Sequence, residues 1–163
     1  MILKRLGAVT ALFIFLAFPA FSSTVSLLLV ETGLSAEFLG TQHTMLWEDG
    51  LLDAFFDAGH IVTNSPILRM ERRPSQDLTG QVKNDWDEAG LGGVDYFVLG
   101  FLEYQMRGEA AVPVRIALKI YTTNSQKLLF EQNFPVGRGK DTKEEFQFAR
   151  DTGRLIISKI KDR

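Results

Sequence analysis

The chain has 163 residues, a formal net charge of −2 and no cysteine. The absence of cysteine excludes disulfides, thiol catalysis, cysteine-ligated zinc and a lipidated cysteine anchor. The slight acidity argues against generic nucleic-acid binding, which needs a basic stripe on the surface. Hydrophobic residues make up 45% of the chain, which predicts a packed core rather than disorder.

The first 22 residues have the pattern of a secretory signal peptide. Lys4 and Arg5 precede the apolar run 6–18, and small residues follow it. This run is shorter than the roughly 20 residues of a membrane-spanning helix. We therefore expect cleavage after Ser22 and export to the bacterial periplasm. The alternative is that residues 6–21 remain as an uncleaved membrane anchor in a thinned bilayer.

Residues 23–163 are long enough for a single domain with its own core. Val25 to Val30 is continuously apolar, which predicts a central parallel strand buried on both faces. Apolar residues then recur at helical spacing from Ala36 to Ala58, and we expect the regular helix to begin near Thr44. His60 to Ser65 is predicted as a second strand, and residues 67–77 as an irregular connection.

The second half of the domain contains a helix, three strands and a final helix. Leu78 to Leu91 is a weaker amphipathic helix, and Asp95 to Tyr104 is the strongest strand pattern in the chain. Val114 to Tyr121 alternates apolar and polar residues, which predicts a half-buried antiparallel strand. Lys127 to Phe134 is its hairpin partner. A capping box at Thr142 starts the closing helix.

The predicted order is β-α-β-α-β-β-β-α. Early βα units followed by a hairpin indicate an α/β (α+β) domain of three-layer type, with a mixed sheet of about five strands.

This order and four local segments resemble the N-terminal domain of TolB proteins. They are also similar to the related fold of the curli secretion protein CsgG and of the periplasmic activators of penicillin-binding proteins. The resemblance covers about residues 24–162, and its segments are VSLLLVETG, LLDAFFDAGHIVTNS, GGVDYFVLGFLEY and IALKIYTTNSQKLLFEQNF. It implies a non-enzymatic assembly, scaffold or regulatory protein of the envelope, with no catalytic residues to carry over.

Three arginines in the connection after the second strand are the most distinctive candidate binding residues: Arg69, Arg72 and Arg73. Guanidinium groups can bind an acidic protein, a lipid headgroup or peptidoglycan carboxylates. The alternative is an ordinary solvated loop.

A second candidate site lies at the predicted carboxyl ends of the parallel strands, near Glu31, Asn64 and Glu103. Ligand sites of open α/β sheets occur at these ends. The sequence shows no nucleophile with a base and no H-E-x-x-H spacing. Our first hypothesis is therefore a non-enzymatic, cofactor-free periplasmic module that binds unidentified envelope proteins. The alternative is a periplasmic small-ligand binder or enzyme at the strand ends.

Two further groups of residues have simpler structural interpretations. Asp49, Asp53 and Asp57 are four residues apart on one helical stripe, so we expect a solvated face rather than a metal site. Trp47 and Trp86 are expected in the core.

Overall fold

The computed structural model describes residues 22–34, 41–136 and 141–161. The predicted signal segment, except Ser22, and the front of the first predicted helix lie outside the described residues. The described elements, in chain order, are β1 (Thr24–Thr32), α1 (Thr41–Asp57), β2 (Ile61–Asn64), β3 (Leu68–Met70), α2 (Gly80–Leu91), β4 (Tyr96–Arg107), β5 (Ala110–Thr122), β6 (Leu128–Pro135) and α3 (Thr142–Lys161).

The strands form one mixed, open sheet in the order β2-β1-β4-β5-β6, with β3 paired to β1 beyond the end of β2. β1 is parallel to β2, β3 and β4, whereas β4, β5 and β6 form an antiparallel meander. The α/β class and the element order of the prediction are confirmed, apart from one additional strand.

That additional strand, β3, makes six strands where the sequence predicted about five. It lies in the connection 67–77 that was expected to be irregular, so that expectation is wrong in part. Leu68 and Met70 alternate around Arg69 and pack towards α2. Three residues are too few for alternation to be recognised in a sequence window.

The domain has three layers. One apolar cluster lies between the sheet and the helices α1 and α3, and includes Trp47, Leu51 and Ile156. A second, on the opposite face of the sheet, lies under α2 and includes Trp86 and Phe97. β1 lies between the two clusters, which explains its continuous apolar sequence.

The prediction that β5 is half-buried is wrong for its central part. Ala117, Lys119 and Tyr121 face away from α1 and α3 and were expected to be solvated, yet all three are buried. The segment that leads into α2 covers this face and supplies Asp77, which pairs with Lys119. An amine becomes buried here because it has a carboxylate partner.

Helices α1 and α3 approach closely because glycines lie at their contact. A Cβ atom built on Gly50 would lie 2.7 Å from the Cβ of Ala149 and 2.8 Å from the carbonyl oxygen of Phe146. The backbone of α3 therefore occupies the space that any larger residue at this position would need.

The parallel strands give the domain two distinct ends. β1 and β6 end where α1 and α3 begin, and we call this the carboxyl end; β3, parallel to β1, also ends there. The first residues of β1, β2 and β4 lie at the opposite end, which we call the amino end. Of the three described helices, none has the length and apolar composition needed to cross a bilayer.

We predict opposite effects of the same substitution in two helices. Gly50→Ala should lower the free energy of unfolding, because overpacking costs about 1–3 kcal/mol and the helix-propensity gain of up to about 1 kcal/mol only partly offsets it. Gly90→Ala in α2 meets no atom within 4 Å and should be neutral or stabilising. Urea unfolding of both variants measures the difference, and equal shifts would contradict the close contact between α1 and α3.

Candidate functional site

A cavity of about 300 Å³ opens at the carboxyl end, on the face of the sheet that α2 covers. We call it the arginine cavity. Its walls come from the segment after β3 and from the ends of β4 and β5, and the residues that define its chemistry are Glu71, Arg72, Arg73, Phe101, Glu103 and Arg115.

Arg73 is held in a defined orientation by two contacts. Its guanidinium carbon lies 4.5 Å from the centre of the Phe101 ring, and its Nη2 donates to Asp77 Oδ1 at 3.2 Å. Phe101 itself is buried in the core under α2. A guanidinium stacked on a fixed ring loses less side-chain freedom when it binds a ligand.

The other two arginines of the cavity differ in their pairing. Arg115 lies opposite Glu103 across the β4–β5 ladder, and its Nε donates to Glu103 Oε2 at 3.0 Å. Arg72 is exposed and forms no ion pair with any residue that the structure describes. Arg72 is therefore the cation of the cavity that remains available to an anionic group.

Asp77 fastens the segment that carries these arginines to β5. Its Oδ2 atom accepts from Lys119 Nζ at 2.5 Å and from the Tyr121 hydroxyl at 3.0 Å. Lys119 also pairs with Glu131 at 2.8 Å. Burial opposes the charge on Asp77, but the bonds from Lys119, Arg73 and Tyr121 outweigh it and lower its pKa.

Arg69 points to the opposite face of the sheet and is part of a buried polar cluster. Its Nε donates to Glu31 Oε2 at 2.6 Å, and Glu31 is fully buried. The Thr44 hydroxyl donates to the other oxygen of Glu31 at 2.6 Å and lies 2.7 Å from the Tyr104 hydroxyl. Burial raises the pKa of Tyr104. This cluster joins α1 to β1, β3 and β4 at the carboxyl end.

The predicted arginine group is thus divided between two faces. Arg72 and Arg73 line the cavity, whereas Arg69 binds the buried carboxylate of Glu31 on the other face of the sheet. The alternation of side chains along β3 is the reason, since Leu68 and Met70 occupy the α2 face.

The structure does not bring the predicted strand-end group together. Glu31 faces α1, Glu103 lines the arginine cavity, and Asn64 donates to Glu48 at 3.0 Å beside β2. Sequence reasoning missed Phe101 and Arg115. The period-2 pattern that places Phe101 and Glu103 on one face of β4 was the available signal.

The acidic stripe of α1 is only partly solvated. Asp53 Oδ2 lies 2.6 Å from Arg150 Nε in an ion pair, and Asp57 pairs with the same guanidinium, so both tie α1 to α3. Trp47 and Trp86 are buried, as predicted. Within the described ranges, no group of three or more histidine, aspartate or glutamate side chains could hold a metal ion.

No protein-family model and no curated protein matches the chain. Solved structures similar to it include the PelC dodecamer from Paraburkholderia phytofirmans, with 11% identity over 86% of this chain and 90% of that chain (TM-score 0.48). Others are TolB from Acinetobacter baumannii, with 14% identity over 85% of this chain and 27% of that chain (TM-score 0.39), and lipoprotein GNA1162 from Neisseria meningitidis, with 9% identity over 86% and 99% (TM-score 0.42). These similarities are too distant to assign a family or a function.

We predict that Arg69 and Arg72 differ strongly in their effect on stability. Arg69→Ala leaves the Glu31 carboxylate buried without its cation and should cost about 3 kcal/mol. Arg72→Ala removes an exposed cation and should change stability by no more than about 0.5 kcal/mol. Chemical unfolding measures both. Adding Glu31→Gln to Arg69→Ala should recover part of the loss, and no recovery would contradict the pair.

The lowered pKa of Asp77 predicts a pH-dependent contribution to stability. Its ionised form is favoured in the folded state, so the contribution is present above the ordinary value of 3.8 and disappears as pH falls through the folded-state pKa. The difference in unfolding free energy between the unmodified protein and Asp77→Asn should therefore be large at neutral pH and small in strong acid. Asp49→Asn, at an exposed position, is the matched control. A pH-independent difference at Asp77 would contradict the network.

Proposed function

We propose that the protein is a non-enzymatic module of the bacterial cell envelope, and that it binds the carboxylates of a protein partner in the arginine cavity. The observation that carries the proposal is the pairing pattern of the arginines. Arg73 is oriented on Phe101, whereas Arg72 is exposed and unpaired within the described part of the chain. Two guanidinium groups at neighbouring positions, one already oriented, suit a carboxylate-bearing segment.

The acidic side chains of the cavity favour selective binding of particular anionic ligands over general attraction of any anion. Glu103 neutralises Arg115, and Glu71 adds a second carboxylate to the wall. A densely acidic ligand would meet repulsion from these two groups, whereas one or two carboxylates aimed at Arg72 and Arg73 would not. The proposed ligand is therefore a protein segment with a few well-placed carboxylates.

We also propose that the protein has no catalytic activity. The described cavity wall contains arginine, glutamate, threonine, glycine, alanine and phenylalanine. Its only hydroxyl, that of Thr32, lies 3.4 Å from the backbone carbonyl of Leu102, to which it donates. A nucleophile needs a base within hydrogen-bond reach, and this hydroxyl has a backbone acceptor instead.

The envelope location rests on the N-terminal sequence. The cationic start and the apolar run 6–18 support export. The expected partner is an envelope protein, and peptidoglycan carboxylates are the other ligand of the same chemistry.

A small anionic molecule is a second candidate ligand. The volume of about 300 Å³ and the position at the carboxyl ends of parallel strands both support it. A thermal shift with free dicarboxylic acids, lost in Arg72→Glu/Arg73→Glu, would favour this alternative.

We predict that a photo-crosslinking amino acid placed at Glu71, on the cavity wall, captures an envelope protein in living cells. The adduct should disappear in Arg72→Glu/Arg73→Glu, because the reversed charges repel the carboxylates of the partner. The measurement is the mass-shifted band and its identification by mass spectrometry.

The matched control is Arg107→Glu/Lys127→Glu, which changes the net charge equally at two exposed positions outside the cavity. This variant should retain the adduct. Equal loss in both variants would indicate general electrostatic attraction, and equal retention would show that the two arginines do not bind the partner. An adduct with peptidoglycan alone would replace the protein ligand with the other candidate.

A further inference from the structure

The strand β6 forms one edge of the sheet, and no strand among the described residues pairs with its outer side. The opposite edge is interrupted, since β2 has four residues, β3 has three, and Pro66 lies between them. Short strands and prolines at an edge hinder pairing with another chain. β6 has eight residues and its only proline is the last of them, Pro135, so its outer side is open to a further strand.

The backbone groups of two residues on β6 point away from the sheet. The N–H of Val136 donates to the carbonyl oxygen of Val114 at 3.1 Å, so these two residues continue the β5–β6 ladder as a hydrogen-bonded pair. Hydrogen-bonded and non-hydrogen-bonded pairs alternate along an antiparallel ladder. Counting back from Val136, the N–H and C=O groups of Asn133 and Glu131 therefore face outwards.

The side chains of β6 do not repel a second strand. Glu131 is the only charged residue of β6, and its carboxylate pairs with Lys119 of β5 at 2.8 Å. On the other face of the sheet, Phe130 is only partly buried against the core beneath α1 and α3, and Gln132 beside it is exposed. Edge strands that resist pairing commonly carry unpaired charges, lysine above all. This edge has no such protection.

An antiparallel pairing of β6 with β6 of a second copy has one register that satisfies all of these groups. Glu131 then lies opposite Asn133 of the second copy and Asn133 opposite its Glu131, and each of these pairs exchanges both backbone hydrogen bonds. The amide of Asn133 can donate to the carboxylate across from it. Gln132 meets its own copy on the two-fold axis. Phe130 lies opposite Phe134 of the second copy, and aromatic cross-strand pairs stabilise a sheet.

The neighbouring registers, shifted by two residues, are less favourable. In one, Glu131 lies opposite Glu131 of the second copy, and like charges directly opposite each other are destabilising. That register also uses Leu129, which the β-bulge leaves without a partner on β5. In the other, Glu131 lies opposite Pro135, which has no N–H to donate. The residues of the edge therefore select a single register.

We infer that the protein forms a two-fold symmetric dimer through the outer edge of β6, in which Glu131 of each copy pairs with Asn133 of the other. The sheet then continues from one copy into the next. Because the two-fold axis crosses the sheet from face to face, both copies expose their α2 side, and with it the arginine cavity, in the same direction. The inference rests on the edge alone and does not require the carboxylate binding proposed for that cavity.

The cysteine-free chain allows a test of this register with single cysteines. Gln132→Cys places two thiols on the axis, at the Cα separation of about 4.5 Å of a non-hydrogen-bonded pair, which lies within the range of about 4.4–6.8 Å that a disulfide spans. We expect mild oxidation of the purified protein to convert most of it into a covalent dimer on a non-reducing gel. Asn124→Cys, at an exposed position in the turn before β6, is the control for random collision and should stay mostly monomeric.

The positions on either side of the axis test the register more strictly. Glu131→Cys or Asn133→Cys alone should form little disulfide, because each residue lies two positions away from its own copy. A mixture of the two variants should form the mixed dimer. Efficient linking of Glu131→Cys to itself would overturn the inferred register, and equal linking of Gln132→Cys and Asn124→Cys would overturn the dimer.

A proline variant tests the edge without any covalent link. Asn133→Pro removes one outward N–H and leaves the hydrogen bonds of Gln132 and Phe134 to β5 in place, so the mass from sedimentation equilibrium should fall from two chains to one. Asn133→Ala keeps the N–H and should remain dimeric, and circular dichroism checks that both variants fold. An unmodified protein that is monomeric at every concentration measured, or a dimer that persists in Asn133→Pro, would overturn the inference.

Discussion

The burial of β1 on both faces is the constraint on which the other elements depend. Its side chains alternate between the cluster under α1 and α3 and the cluster under α2, so both helix layers are needed to exclude water from it. The same burial extends to the polar end of the strand. Glu31 is fully buried there, and its carboxylate requires Arg69 and the hydroxyl of Thr44. The short strand β3, which carries Arg69, is thereby fixed to the edge of the sheet.

Between β3 and α2, charge pairing adds to the apolar packing of Leu68 and Met70 in positioning the chain. Asp77 is bound by Lys119 and Tyr121 of β5, and Arg73 extends from the same segment over Phe101. The arginine cavity thus has a scaffold of partly buried hydrogen bonds and ion pairs beneath an exposed surface. A rigid support beneath the unpaired cation lowers the entropic cost of binding a ligand in the cavity.

Sequence patterns were sufficient for features governed by local periodicity. The apolar run of β1, the hairpin of β5 and β6 and the burial of both tryptophans follow from composition and spacing alone. Sequence patterns were insufficient where the partners of a residue come from a distant segment of the chain. Lys119 is buried because it has carboxylate partners, and one of them, Asp77, comes from a segment 42 positions away that covers the sheet. Arg69 and Arg72 look equivalent in the sequence, and only strand pairing sends them to opposite faces.

The parallel course of β1 separates the two ends of the molecule by the length of one strand. Nine residues at about 3.3 Å each amount to about 30 Å. Thr32 and Gly33, at the far end of β1, line the arginine cavity, so the cavity lies about 30 Å from the point at which the chain enters the domain. A partner bound in the cavity therefore leaves the first residues of the domain free of contact unless it extends over this distance.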